Sequence, residues 1–144
     1  MNVIEITDDK RQFLNLLLMA DEQESMINRY LDRGRMFAEE SGIAECVVTE
    51  EADFAEIKNL AVLPEYRGRG FGREMIEFVE NLYRSKYSRL RVGTGDSPLT
   101  IPFYEKCGFG EIFRIRDFFT ENYDHPIYEA GVLLKDMVIL EKVI

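Results

Sequence analysis

In "NVIEI" (2–6) Ile4 and Ile6 flank Glu5, and this alternation along a pleated backbone predicts a first strand. The period then lengthens. Phe13, Leu14, Leu17 and Leu18 fall on one face of a helix that Thr7 or Asp8 can cap. Asp21, with Glu24 three residues on, has the form of a capping box for a second helix. That helix carries Met26, Ile27, Tyr30 and Leu31 on its apolar side, and Gly34 ends it. "RMFAEESGIAECVVTEE" (35–51) reads as a hairpin turning at Ser41-Gly42, and "DFAEIKNLAVL" (53–63) as the next strand. Pro64 stops it, at the favoured second position of a turn over Leu63–Tyr66. Phe71, Met75, Phe78, Val79 and Leu82 then recur at helical spacing as one apolar stripe. "RLRVGTG" (89–95) is strand again, and a short helix over "LTIPFYEKC" precedes Gly108. Strand-like segments around 109–116 and 132–142 finish the chain.

Strand, glycine-rich turn, helix and strand within about 40 residues make a right-handed parallel crossover by default. With the remaining elements they place the chain in the α/β (α+β) class. At 144 residues, with no repeat and no linker rich in Pro, Gly or Ser, it reads as one domain, 1–144.

The crossover turn, "LPEYRGRGFGREM" (63–75), gathers Arg67, Arg69 and Arg73 around Gly68, Gly70 and Gly72. The first N–H groups of a helix have no intrahelical partner and sit at the positive end of its dipole, which makes an anion site. Glycines let the backbone approach the anion, and arginines add forked donors that fit phosphate. The stretch is therefore expected to hold a phosphate or pyrophosphate. G-x-G-x-x-G fails because Arg73 stands where the third glycine belongs, and G-x-x-x-x-G-K-[ST] is absent.

Composition narrows the partners. A formal net charge of −9 opposes nucleic acid, whose phosphates need Lys and Arg. "FLNLLLMA" (13–20) is the longest apolar run and is too short to span a bilayer, so no membrane association is expected. The acidic start "MNVIEITDDK" lacks a basic leader, and a cytoplasmic location is expected. Cys46 and Cys107 lie far apart with only His125 beside them, which argues against a metal site and against a disulfide scaffold.

The pattern that does fit is R-x-x-G-x-G, read as Arg67-Gly68-Arg69-Gly70-Phe71-Gly72. "LAV-x-P-x-Y" precedes it and "FYEKCGF" (103–109) follows about 30 residues later. In these residues the chain resembles the GNAT superfamily of acyl-coenzyme A-dependent N-acyltransferases, and the order of elements follows that family from end to end. The tail "RDFFTENYDHPIYEAGVLLKDMVIL" (116–140) is similar to that of small bacterial members without an assigned substrate. The resemblance implies one mixed, mostly antiparallel twisted sheet of about 6–7 strands, with helices on both faces and a central crossover. It also implies acetyl-CoA as cosubstrate and an acetyl group passed directly to a primary amine of a small molecule or peptide.

Carried over residue by residue, the resemblance assigns the CoA pyrophosphate to Arg67, Gly68, Arg69, Gly70, Phe71 and Gly72. Pantetheine is assigned to a bulged strand edge at Leu60, Ala61 and Val62, one of whose amides polarises the thioester. Tyr104 matches the acid that protonates the departing thiolate; the alternative is an aromatic packing residue. Glu56 occupies the strand on which histone-acetylating members carry a glutamate base. If Leu60 and Val62 face one side of that strand, period two puts Glu56 and Lys58 there too. A solvent-facing Glu56, or a Glu56–Lys58 surface pair, is the alternative. Where many relatives carry a cofactor-contacting asparagine, "GTGDSP" offers Asp96, expected to point away from an anionic cofactor, and Ser97, expected to substitute.

His125 reads as exposed, Cys107 as packing, and Phe118, Phe119, Tyr123 and Tyr128 mainly as core that could also wall an acceptor pocket. Glu105, Glu121, Asp124 and Glu129 are expected near its outlet, suiting a cationic acceptor. Relatives often pair through edge strands, so a homodimer is among the expected states. A sensor or regulatory module that binds acyl-CoA with little turnover is the alternative function, and a nucleotide-binding regulator a more distant one.

Overall fold

The computed structural model describes residues 1–144 and arranges β1 (Val3–Ile6), β2 (Arg35–Glu39), β3 (Ala44–Glu50) and β4 (Ala55–Val62) as successive antiparallel neighbours. β5 (Arg89–Gly95) then joins β4 in the one parallel pairing of the sheet. Between them runs α3 (Phe71–Tyr83), as a parallel crossover requires. β9 (Met137–Val143) adds to β5, and β6 (Gly110–Ile115) closes the far edge. The order is β1-β2-β3-β4-β5-β9-β6, seven strands and mostly antiparallel, as expected.

Helices cover both faces. α3 and α4 (Thr100–Lys106) press Met75, Ile76, Val79, Tyr83 and Tyr104 onto one face. On the other, α1 (Leu14–Ala20), α2 (Glu24–Ile27) and the turns after it bury Leu17, Ile27, Tyr30 and Leu31. Each buried aliphatic of this kind contributes about 1.5–3 kcal/mol. α5 (Phe118–Asn122) and a short ribbon, β7 (Tyr128–Glu129) with β8 (Val132–Leu133), enclose Phe119, Ile127 and Leu134.

Several local expectations are corrected. A 3-10 turn over Lys10–Phe13, entered through Asp9 in the left-handed region, precedes α1, so neither Thr7 nor Asp8 caps it. On α3 the buried stripe is Met75, Ile76, Val79, Glu80 and Tyr83, rotated from the predicted one; Leu82 is at the exposed margin. The segment 132–142 is not one strand. Ala130 and Gly131, both at positive φ, form a two-residue turn that folds β7 onto β8 before β9 begins.

The most consequential correction is a bulge in β4. Val48 pairs with Ile57 and Val47 with Asn59, leaving Lys58 without a partner on β3. The extra residue reverses the phase of the strand. Before it Ala55 and Ile57 face α3; after it Leu60 and Val62 do. Glu56, opposite Thr49, therefore points to the other face from Leu60 and Val62, contrary to simple alternation. The bulge lies at Lys58, two residues before the expected stretch Leu60–Val62.

Candidate active site

β4 and β5 pair only across Ala55–Ile57 and Leu90–Val92. Beyond that point the strands part, and the wedge between them opens into a cavity of about 820 Å³. Leu60, Ala61 and Val62 line one wall and Gly93, Thr94 and Gly95 the other. A strand edge released from its neighbour presents peptide groups that an extended ligand can pair with.

The glycine loop forms the mouth. Gly68 (φ 74°) and Gly70 (φ 89°) occupy the left-handed region, and a methyl group at either would meet nothing within 4 Å. Their requirement is conformational, since an L side chain there strains the backbone by about 1–2 kcal/mol. Gly72 differs: its added Cβ would lie 3.0 Å from the Phe103 ring of α4. Gly70 caps α3 without any side-chain cap, so the first amides of the helix point outward unclaimed. Arg67 turns back and donates from Nε to the Val62 carbonyl at 3.0 Å, pinning the end of β4. Arg73 donates to the Lys106 carbonyl at 2.8 Å. Arg69 stacks over Tyr66 at 5.4 Å and is not part of the cavity wall.

Tyr104 reaches the cavity from α4, packed edge-on against Phe103 and Phe109. Burial raises its pKa far above the ordinary phenol range, so it keeps its proton through neutral and alkaline pH. Cys107, beside it, packs in the core and has its thiol pKa raised by the same desolvation. Glu56 is not part of the wall; its carboxylate lies 3.2 Å from the Lys58 ammonium. Ser97, 2% exposed, lies behind the wall, where its Oγ donates to Glu129 at 2.9 Å and accepts from the Leu99 amide at 3.1 Å. Asp96 points away and holds Arg114 at 2.7 Å.

Of the acidic residues expected at the outlet, Glu129 lines the cavity, whereas Glu105, Glu121 and Asp124 do not. His125 is exposed between Asp124 and Glu22. Phe119, Tyr123 and Tyr128 do wall the cavity.

Sequence reasoning missed Asp21. It makes no capping box: α2 starts after Gln23, with no side-chain cap. Asp21 instead lies on the cavity wall, where Oδ2 accepts from the Tyr30 hydroxyl at 2.9 Å and Oδ1 from Tyr123 at 2.5 Å. Its Asp-x-x-Glu spacing was the visible signal, and local spacing cannot show a partner 102 residues away.

Comparison with known proteins agrees with this geometry. Residues 32–111 match the family model described as an acetyltransferase (GNAT) domain. The chain is 32% identical over 136 residues to the uncharacterized N-acetyltransferase YvbK of Bacillus subtilis (strain 168), covering 90% of this chain and 87% of that protein. A GNAT family acetyltransferase from Elizabethkingia anophelis, crystallised with acetyl-CoA bound, superposes with a TM-score of 0.92 at 29% identity, covering 99% of this chain and 97% of that one. A Bacillus subtilis acetyltransferase in complex with CoA superposes at 0.87 with 28% identity, covering 99% and 98%.

Proposed function

The chain belongs to the GNAT acetyltransferase family, and from that premise we propose that it transfers acetyl from acetyl-CoA to a primary amine by direct attack in a ternary complex. The observation that carries this reading is the wedge between β4 and β5, which is lined both by the glycine loop and by Tyr104. The residues fit the cosubstrate. The outward amides from Gly68 to Gly72 offer the diphosphate a cradle with no Cβ at Gly68 or Gly70. The edge of Leu60–Val62 offers the pantetheine amides a strand to join, and one of its N–H groups would polarise the thioester carbonyl.

In the transfer the amine nitrogen bonds to the thioester carbon, the carbonyl collects the negative charge, and the C–S bond then breaks. Tyr104 gives its proton to the departing sulfur. Glu56, held by Lys58 off the cavity wall, could take the amine proton only through water or after leaving that pair.

The test is thiol release from acetyl-CoA against a panel of polyamines, amino acids, aminoglycosides and N-terminal peptides, with the product identified by mass. Acetylation of one class at a rate above spontaneous thioester hydrolysis is expected. Tight CoA binding by calorimetry with no thiol release across the panel would instead identify a binding module. Gly70→Ala isolates the loop: strain of about 1–2 kcal/mol at positive φ should raise KM for acetyl-CoA about tenfold. Its melting temperature should fall by only about 2–8 °C. An unchanged KM would remove the loop from cosubstrate binding.

A further inference from the structure

The Asn59 amide fixes the direction of a hydrogen-bonded chain. Its Nδ2 donates to the Leu17 carbonyl at 3.0 Å, and a carbonyl only accepts, so the orientation of the amide is determined. The same Nδ2 donates to the Tyr30 oxygen at 3.0 Å. Tyr30 therefore sends its own proton to Asp21, and Tyr123 supplies a second from the opposite side. Asp21 is thus a carboxylate oriented by two phenols on the wall of the cavity.

No cationic side chain forms an ion pair with this charge. Arg29, which acts on it through space, donates instead to the Asn122 side-chain oxygen at 3.1 Å. Asn59, joined to Asp21 through the Tyr30 hydroxyl, is only 3% exposed, and its Oδ1 has no hydrogen-bond partner although the residue lines the cavity. A half-buried carboxylate without an ion-pair partner lacks further hydrogen-bond donors and close positive charge. An ammonium group supplies both. The same cavity is lined by Met19, Phe119, Ile127, Tyr128, Leu134 and Met137, with Glu22 and Glu129 as its other acidic residues.

We propose that Asp21, positioned by Tyr30 and Tyr123, binds the ammonium of the acetyl acceptor and takes its proton, and that the acceptor is a primary amine on an apolar or aromatic body. This rests on the acetyl-transfer reading. The ammonium passes one proton to Asp21 and becomes a free amine, whose nitrogen bonds to the thioester carbon. The C–S bond breaks and the sulfur takes the Tyr104 proton. The nitrogen's second proton restores the phenol, and Asp21 releases the first to solvent, giving amide, CoA thiol and one proton. Burial raises the Asp21 pKa in spite of the two phenol donors. The charged and titratable groups around it are Glu22, Arg29, Tyr30 and Tyr123.

The test uses the full chain, with thiol release from acetyl-CoA and n-hexylamine, 2-phenylethylamine or spermidine as acceptor. Wild type should favour the two apolar amines over spermidine. Asp21→Asn should raise KM for the amine at least about tenfold, the loss of one charge-assisted contact, leave KM for acetyl-CoA unchanged, and replace the acidic limb of the kcat/KM profile by one set at the much higher pH of the amine's own ionisation. Tyr123→Phe should keep the limb and move it to higher pH, because a donor that lowers the Asp21 pKa is lost; a merely structural tyrosine would not move it. Should Asp21→Asn not fold, that shift and the wild-type preference decide the matter. An Asp21→Asn enzyme with unchanged amine KM and pH profile, an unmoved limb in Tyr123→Phe, or a preference for spermidine overturns this assignment and leaves acetyl transfer standing. Thiol release only with other members of the wider amine panel overturns this assignment alone; none with any of them, while CoA still raises the melting temperature, overturns both.

Discussion

Tyr104→Phe is expected to lower kcat by about 10²–10³-fold, within the range for loss of a positioned general acid. The substitution deletes one oxygen and keeps the ring, which stacks edge-on at 5.1 Å from Phe103 and 5.7 Å from Phe109. Packing should therefore survive, and the melting temperature and CoA affinity should match wild type. Desolvation holds the phenol protonated well beyond the ordinary range. The defect should then be equally deep from pH 6 to pH 9, with no alkaline limb that belongs to Tyr104. The same dry surroundings make the leaving thiolate a stronger base, so donor and acceptor are raised together and the proton can still pass. A variant within twofold of wild-type kcat over this range would return Tyr104 to a packing role.

Glu45→Gln should change how stability depends on pH. Glu45 is fully buried on β3, flanked across the sheet by Ala38 and Ala61, whose small side chains leave it room. Burial pushes its pKa up to about 8 against a weaker pull from the Ala61 amide. An ordinary glutamate in the unfolded chain loses its proton near pH 4.5. Between those values the folded state binds the proton and the unfolded state does not, so this residue makes stability fall as pH rises, and the loss is complete above about 8. The glutamine variant has no proton to lose. Relative to wild type it should gain on the order of 4 kcal/mol between pH 5 and pH 9. Denaturant unfolding at both pH values measures the difference, and parallel profiles for the two proteins would show that Glu45 does not titrate in this window.

The glycine loop was legible because everything it needs is local. Positive φ at Gly68 and Gly70 is a property of the residue type and its place before a helix. The pairing of hairpin and crossover was legible for the same reason, since hydrophobic period and turn residues act over a few positions. Where a single residue changes the count, local reading fails. Lys58 bulges out of β4 and turns Glu56 to the opposite face from Leu60 and Val62, and no residue in "EIKNLAV" announces it. Ala130 takes a positive φ that its side chain disfavours, so the β7–β8 ribbon carried no glycine-rich or asparagine signal at that position.

The amino-acid order by itself determined the class of fold, the central crossover and the glycine loop that opens its helix, because period, glycine and proline impose their geometry within a few residues. Only the folded molecule decided which carboxylates matter. Asp21 became a cavity group through Tyr123, 102 positions away, and Glu45 a buried acid through the strands beside it and the helices laid over them. Charge state depends on what lies around a group in space, and distant segments of the chain supply those surroundings.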